Sequence, residues 1–119
     1  YGLSYSSFKY SDLQVKDGAG EVTVSFLLKN TGKRNGDEVA QVYVRIPETG
    51  GIVPLKELKG FRRVPLKSGE SRRVEIKLSK EQLRYWDVEK GQFVVPKGAF
   101  DIMVGASSKD IRLQTVIDL

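Results

Sequence analysis

Cysteine and histidine are both absent from the 119 residues. Their absence excludes disulfide staples, thiolate chemistry, Cys/His zinc sites, Ser-His-Asp or Cys-His machinery, and an imidazole switch near neutral pH. Long apolar runs are missing too. Three consecutive residues, as in Phe26-Leu27-Leu28, is typical of the longest, against the ~20 needed to cross a bilayer. There is no signal-peptide pattern, and the chain opens on Tyr1 rather than Met, which predicts a piece of a longer polypeptide. A lack of disulfides fits a cytosolic protein without excluding an exported one. A domain of this size buries roughly two-thirds of its unfolded surface and can stand alone.

Charge is plentiful but unevenly placed. Lys plus Arg is 20 and Asp plus Glu is 15, for a net +5. Residues 56–77 hold Lys56, Lys59, Arg62, Arg63, Lys67, Arg72, Arg73 and Lys77 against Glu57, Glu70 and Glu75, so this stretch carries the whole excess. A basic stripe can attract phosphate or an acidic partner. Neither the aromatic pattern of an RNA-binding sheet nor a basic helix accompanies it. The stripe therefore reads as a solvated sheet face with a protective charged edge, and neither a nucleic-acid nor a membrane partner is expected.

Alternation dominates the chain. Val22, Val24, Phe26 and Leu28 are spaced by two among polar neighbours, the mark of a strand with one buried face. Val42, Val44 and Ile46 repeat the pattern, with Val39 and Tyr43 on the opposite face, so that strand is expected to be covered on both sides. Val74, Ile76 and Leu78 form another run, as do Phe100, Ile102 and Val104, and Leu113, Thr115, Ile117 and Leu119. Phe8, Leu13 and Val15 predict a first strand interrupted by a bulge around Ser11 and Asp12.

Turn signals punctuate these runs. Asn30-Thr31-Gly32 and Asn35-Gly36-Asp37 bracket a connection where Asn and Gly can take positive φ. Lys67-Ser68-Gly69-Glu70 precedes the strand at Val74, and Val95-Pro96-Lys97-Gly98 has the type I preference. Asp17-Gly18-Ala19-Gly20 lacks the ligand spacing of a calcium loop and reads as a turn. Ser79 and Gln82 form a capping-box pattern, predicting one short helical turn over 80–84 that carries Leu83 inward. The expectation is an all-β, antiparallel β-sandwich, immunoglobulin-like, with about seven strands.

Residues able to do chemistry are scarce. Glycosidase or aspartic-protease catalysis needs two carboxylates whose environments push their pKa values apart. The fifteen carboxylates instead sit beside turns or alternate with basic neighbours. Asp87 beside Trp86 is the one in an aromatic setting, and a lone acid there reads as a turn residue. The serines have no imidazole to activate them, and Gly50-Gly51 is followed by no helix to bind phosphate. No catalytic residue, cofactor or metal site is assigned. Two features remain. Tyr85-Trp86 could stack on a sugar ring or pack over the core or a partner domain. Tyr1, Tyr5, Phe8 and Tyr10 crowd a short amino-terminal stretch, as a docking segment would.

Several blocks of the chain carry a family resemblance. Tyr1-Gly2-Leu3-Ser4-Tyr5-Ser6-Ser7-Phe8, Gly36-Asp37-Glu38-Val39-Ala40-Gln41-Val42-Tyr43-Val44 and Lys56-Glu57-Leu58-Lys59-Gly60-Phe61-Arg62-Arg63-Val64 resemble the carboxy-terminal domain of glycoside hydrolase family 3 enzymes. So do Leu83-Arg84-Tyr85-Trp86-Asp87, Pro96-Lys97-Gly98-Ala99-Phe100 and the stretch from Val104 to Leu113. They occur in family order and span nearly the whole chain. The resemblance implies a fibronectin type III-like sandwich over 1–119, with 1–7 a lead-in segment cut from the preceding domain. It also implies a parent β-glucosidase or β-xylosidase, a retaining hydrolase whose barrel and α/β sandwich domains carry catalysis. Periplasmic or secreted placement is implied as often as cytoplasmic. None of the family's catalytic motifs is present here. The expected role is non-catalytic: docking on and stabilising the catalytic domains through Tyr1, Leu3, Tyr5, Phe8, Lys56, Glu57, Phe61 and Arg62. The alternatives are carbohydrate binding at Tyr85 and Trp86, or polyanion binding by the 56–77 stripe.

Overall fold

The computed structural model describes residues 7–47, 55–87 and 89–119. Nine strands follow in order: β1 Phe8–Asp17, β2 Glu21–Asn30, β3 Gly36–Arg45, β4 Glu57–Leu66, β5 Ser71–Ser79, β6 Tyr85–Asp87, β7 Gln92–Val94, β8 Ala99–Ser107 and β9 Asp110–Asp118. Seven of them build the sandwich, as one three-stranded sheet ordered β1-β2-β5 and one four-stranded sheet ordered β4-β3-β8-β9. All pairings are antiparallel. The two strands beyond the expected seven, β6 and β7, form a separate three-residue hairpin, too short to show a period.

The inner faces follow the period of two. Val22, Val24, Phe26 and Leu28 of β2 are fully buried, and Val74, Ile76 and Leu78 of β5 lie beside them. Opposite them stand Ala40, Val42 and Val44 of β3, Val64 and Leu66 of β4, and Phe100, Ile102 and Val104 of β8. Tyr10 stacks on Phe26 with ring centroids 5.6 Å apart. Burying a side chain such as Phe26 contributes roughly 1.5–3 kcal/mol. Leu83 plugs one end of this core from a single 3-10 turn, Lys80–Leu83. That turn starts with the expected reciprocal cap. The Ser79 hydroxyl accepts from the Glu81 amide at 3.2 Å, and the Gln82 side-chain oxygen accepts from the Ser79 amide at 2.9 Å.

The register shifts at four points, one in β1–β2, one in β3–β4 and two in β8–β9. In β1 the pairing shifts between Ser11 and Gln14, with Asp12 at φ 53°. In β4, Lys59 is the extra residue, since Val42 faces Gly60 while Tyr43 faces Leu58. A Cβ on Gly60 would sit 2.9 Å from methyls of Ile76 and Leu78, so this glycine lets β4 approach β5 across the sandwich. In the β8–β9 ladder the shifts fall at Arg112 of β9 and at Ala106 of β8, on either side of the Gly105–Ile111 pair. There Gly105 lies so close to the partner strand that a Cβ would overlap the Asp110 carbonyl and lie 2.8 Å from Ile111 Cα.

Two turn expectations need correction. Positive φ falls at Asp12, Gly20, Gly69, Gly91 and Gly98 rather than in the β2–β3 connection. That connection is held by the buried Asn30 side chain, whose amide donates to the Arg34 and Leu66 carbonyls at 2.9 and 3.1 Å and accepts from the Gly32 amide at 2.9 Å. The residues Val95–Gly98 do not make a type I turn. Gly98 extends the β8–β9 ladder instead, exchanging two backbone hydrogen bonds with Leu119.

Candidate docking surface

The two sheets present very different outer faces. On the three-stranded sheet, the outward positions of β2 and β5 are Thr23, Ser25, Leu27 and Lys29 against Lys77, Glu75, Arg73 and Ser71. Arg73 reaches across to the Asp12 carboxylate and carbonyl and to the Ser25 hydroxyl. This face is solvated and internally paired.

The four-stranded sheet turns apolar residues outward. Phe61 sits opposite Gln41, Leu58 opposite Tyr43, and Val39 opposite Arg63. Phe61 is 67 % exposed, Leu58 and Val39 nearly half, and Val116 on β9 more than half. Between them Tyr43 and Met103, neighbours across β3–β8, are buried on this same outer face. The expected double covering of β3 therefore holds at Tyr43 and fails at Val39. Leu55, just ahead of β4, is almost wholly exposed. Ion pairs Arg63–Asp37 and Arg45–Asp101 border the patch. The Arg45 Nε is buried without a hydrogen-bond partner among the described residues.

The residues expected to dock are distributed as follows. Tyr1, Leu3 and Tyr5 lie outside the described residues. Phe8 is partly buried against the core. Lys56 is half-buried ahead of β4, and Glu57 pairs with Lys59 at 3.2 Å. Phe61 and Arg62 occupy opposite sides of β4. Arg62 pairs in register with the inward Ala40 and donates from Nη1 to the Glu75 carbonyl of β5 at 3.1 Å, closing one lateral seam of the sandwich. Leu58 and Val39 complete the patch around Phe61, while Val116 stands apart on β9, beyond the Arg45–Asp101 pair; none of the three is among the expected docking residues. Their signal in the sequence is apolar residues on the face opposite each strand's buried run.

The basic stripe turns out to be largely spent. It occupies β4 and β5, each an edge strand of its sheet, and Lys59, Arg63, Arg72, Arg73 and Lys77 pair with Glu57, Asp37, Glu70, Asp12 and Glu21. Edge strands carrying paired charge resist strand addition by other chains.

The acidic residues serve structure. Asp87 accepts from the Glu89 and Lys90 amides at 3.0 and 3.2 Å, forming the hairpin turn. Asp17 pairs with Lys80 at 2.6 Å. Among the described residues no three His, Cys, Asp or Glu side chains converge on a metal position, and no helix is long and apolar enough to cross a membrane.

The second lateral seam closes through residues that sequence reasoning passed over. Arg112, placed by its bulge, donates to the Phe8 carbonyl at 3.0 Å, holds Asp110 with two hydrogen bonds, and lies 5.5 Å over the Tyr10 ring. The hydrogen bond from Arg112 holds the Asp110 carboxyl below the usual range. Burial, and then the hydrogen bond donated to Glu38 at 2.8 Å, push the Tyr10 hydroxyl well above its ordinary pKa. The contacts of Arg112 with Phe8 and Tyr10 join residues more than 100 positions apart, so no local pattern announces them.

At the opposite end, the β6–β7 hairpin places Trp86 across from Phe93 with ring centroids 5.1 Å apart. Tyr85 supplies backbone to β6, and its side chain lies outside what the structure describes.

Comparison with known proteins decides the family. Residues 38–108, more than half of the chain, match the fibronectin type III-like domain. The chain belongs to that family. This fibronectin type III-like domain is 39 % identical to a protein named probable β-glucosidase L from Aspergillus fumigatus, over 94 % of the chain but 18 % of the relative. Among solved structures it is similar to the β-D-glucoside glucohydrolase of Trichoderma reesei, with 36 % identity and a TM-score of 0.89 over 99 % of the chain. It is also similar to β-glucosidase 3B of Thermotoga neapolitana, with 38 % identity and a TM-score of 0.88. The domain spans 19 % and 16 % of those two chains. It is thus a minor part of the multidomain chains it matches.

Proposed function

We propose that this domain is a non-catalytic accessory unit of a glycoside hydrolase family 3 enzyme of the β-glucosidase or β-xylosidase type. It docks on the catalytic domains of its own chain and stabilises them, while the parent hydrolyses β-glycosidic bonds by the retaining route. The observation that carries this reading is the asymmetry of the outer faces. A sandwich free in water has no use for Phe61, Leu58 and Val39 side by side on one sheet, whereas an interdomain contact buries such a centre and keeps a charged rim. The Arg63–Asp37 and Arg45–Asp101 pairs supply that rim. The small share of each relative covered by the domain supports the existence of neighbouring domains in the same chain.

The test is made in the parent enzyme. Phe61→Ala and Tyr5→Ala should each lower its melting temperature and reduce its activity. Unchanged values for both variants would reject docking through these residues.

A further inference from the structure

The hairpin end carries an aromatic corner that the docking surface does not use. Trp86 and Phe93 meet edge to face, with an interplanar angle of 78°, and each is about half exposed. Arg84 lays its guanidinium 4.6 Å over the Phe93 ring. Arg62, Arg63, Arg72, Arg73 and Arg112 each donate to a carboxylate or carbonyl. Arg84 is different: among the described residues its side chain meets only this ring, leaving its five N–H donors available. Glu81 lines the same open cleft as Arg84, Phe93 and Lys59, and its carboxylate likewise makes no hydrogen bond or ion pair among the described residues. The floor is fixed, because Gln82 spends its amide on the Ser79 and Lys59 backbones.

The cleft thus offers a fan of donors, an acceptor of opposite charge and exposed aromatic surface. A simple anion would be repelled by Glu81, and a simple cation by Arg84. A neutral polyhydroxyl ligand suits both, because each hydroxyl donates and accepts, so neighbouring hydroxyls satisfy Arg84 and Glu81 together. A flat, equatorially linked pyranose chain also presents C–H faces that pack on Trp86 and Phe93, displacing water from apolar surface. We infer that the Arg84–Trp86–Phe93 corner, with Glu81, binds a neutral oligosaccharide of this kind. The inference stands apart from the docking reading, which uses a different face.

Trp86 is the only tryptophan of the chain, so its fluorescence reports on the corner directly. Titration of the 119-residue chain with cellohexaose should give a saturable emission change at roughly millimolar concentration. Arg84→Ala and Glu81→Ala, both of which keep the reporter, should each weaken binding about tenfold, and Phe61→Ala should leave it unchanged. The inference is overturned by a flat titration, by a response that survives Arg84→Ala, or by an equal response to a sulfated oligosaccharide of the same length. It is also overturned if Arg84→Ala lowers the melting temperature of the parent enzyme as far as Phe61→Ala does, since the corner would then be covered by another domain.

Discussion

The outer faces of the two sheets come from strands of nine or ten residues packed on one core, yet they have opposite character. Across β2 and β5 nearly every outward residue is polar or charged, and Arg73 ties three strands together through Asp12 and Ser25. Across β4, β3 and β9 the outward set includes Phe61, Leu58, Val39 and Val116. Both faces rest on one shared core, so stability of the fold does not explain the difference. On the docking proposal the two faces differ in their neighbour: water for one, protein for the other. Substitutions therefore separate into those that break the shared frame and those that affect one face.

The largest effect should come from Gly105→Ala. The added methyl would overlap the Asp110 carbonyl, and backbone cannot yield as a side-chain tip can. A loss of about 3 kcal/mol or more is expected in denaturant unfolding, and it should collapse both faces together. Asn30→Ala comes next, at about 2 kcal/mol, because it leaves buried backbone groups of Leu66 and Gly32 without their partner. Tyr10→Phe should cost about 1 kcal/mol for the lost bond to Glu38. In the unmodified chain the Tyr10 contribution is complete below about pH 10, the ordinary tyrosine value. It is lost as pH rises above that towards the higher folded value, and the phenylalanine variant should lack this alkaline limb.

Face-specific changes should be smaller in the chain alone. Phe61→Ala and Glu75→Gln should each fall within about 0.5 kcal/mol there, and an unfolding midpoint shift beyond that would blur the contrast between the faces. The smallest effect is acidic. Glu70 is held below the usual carboxylate range, first by the Lys67 amide that donates to it at 2.8 Å and then by Arg72. Its support for the β4–β5 turn is present above the ordinary value of about 4 and disappears as pH falls through the lower folded one. Glu70→Gln should make the acid limb of the stability profile slightly shallower.

The sandwich was legible because burial on one face writes itself into every second residue, as in Val22 to Leu28. β4 was hard to see because it is an edge strand whose buried run is only Val64 and Leu66, and the extra Lys59 breaks its alternation. The same bulge puts Leu58 and Phe61, three residues apart, on one face, while the ordinary pleat separates Phe61 from Arg62. Both look like surface residues in sequence, but the register sends one outward and the other to the β5 carbonyl. The capping box was readable because its partners are three residues apart. Asn30 reads only as a turn residue because Leu66 is 36 positions away. The β6–β7 hairpin is too short for periodicity, and its exposed Trp86 stood out by residue type alone.

The most direct test of the docking account adds this domain, expressed separately, to a parent enzyme shortened by the same residues. The account predicts one-to-one association in a calorimetric titration, partial recovery of thermal stability, and at least tenfold weaker binding for Phe61→Ala. No association, or association indifferent to Phe61, would contradict it.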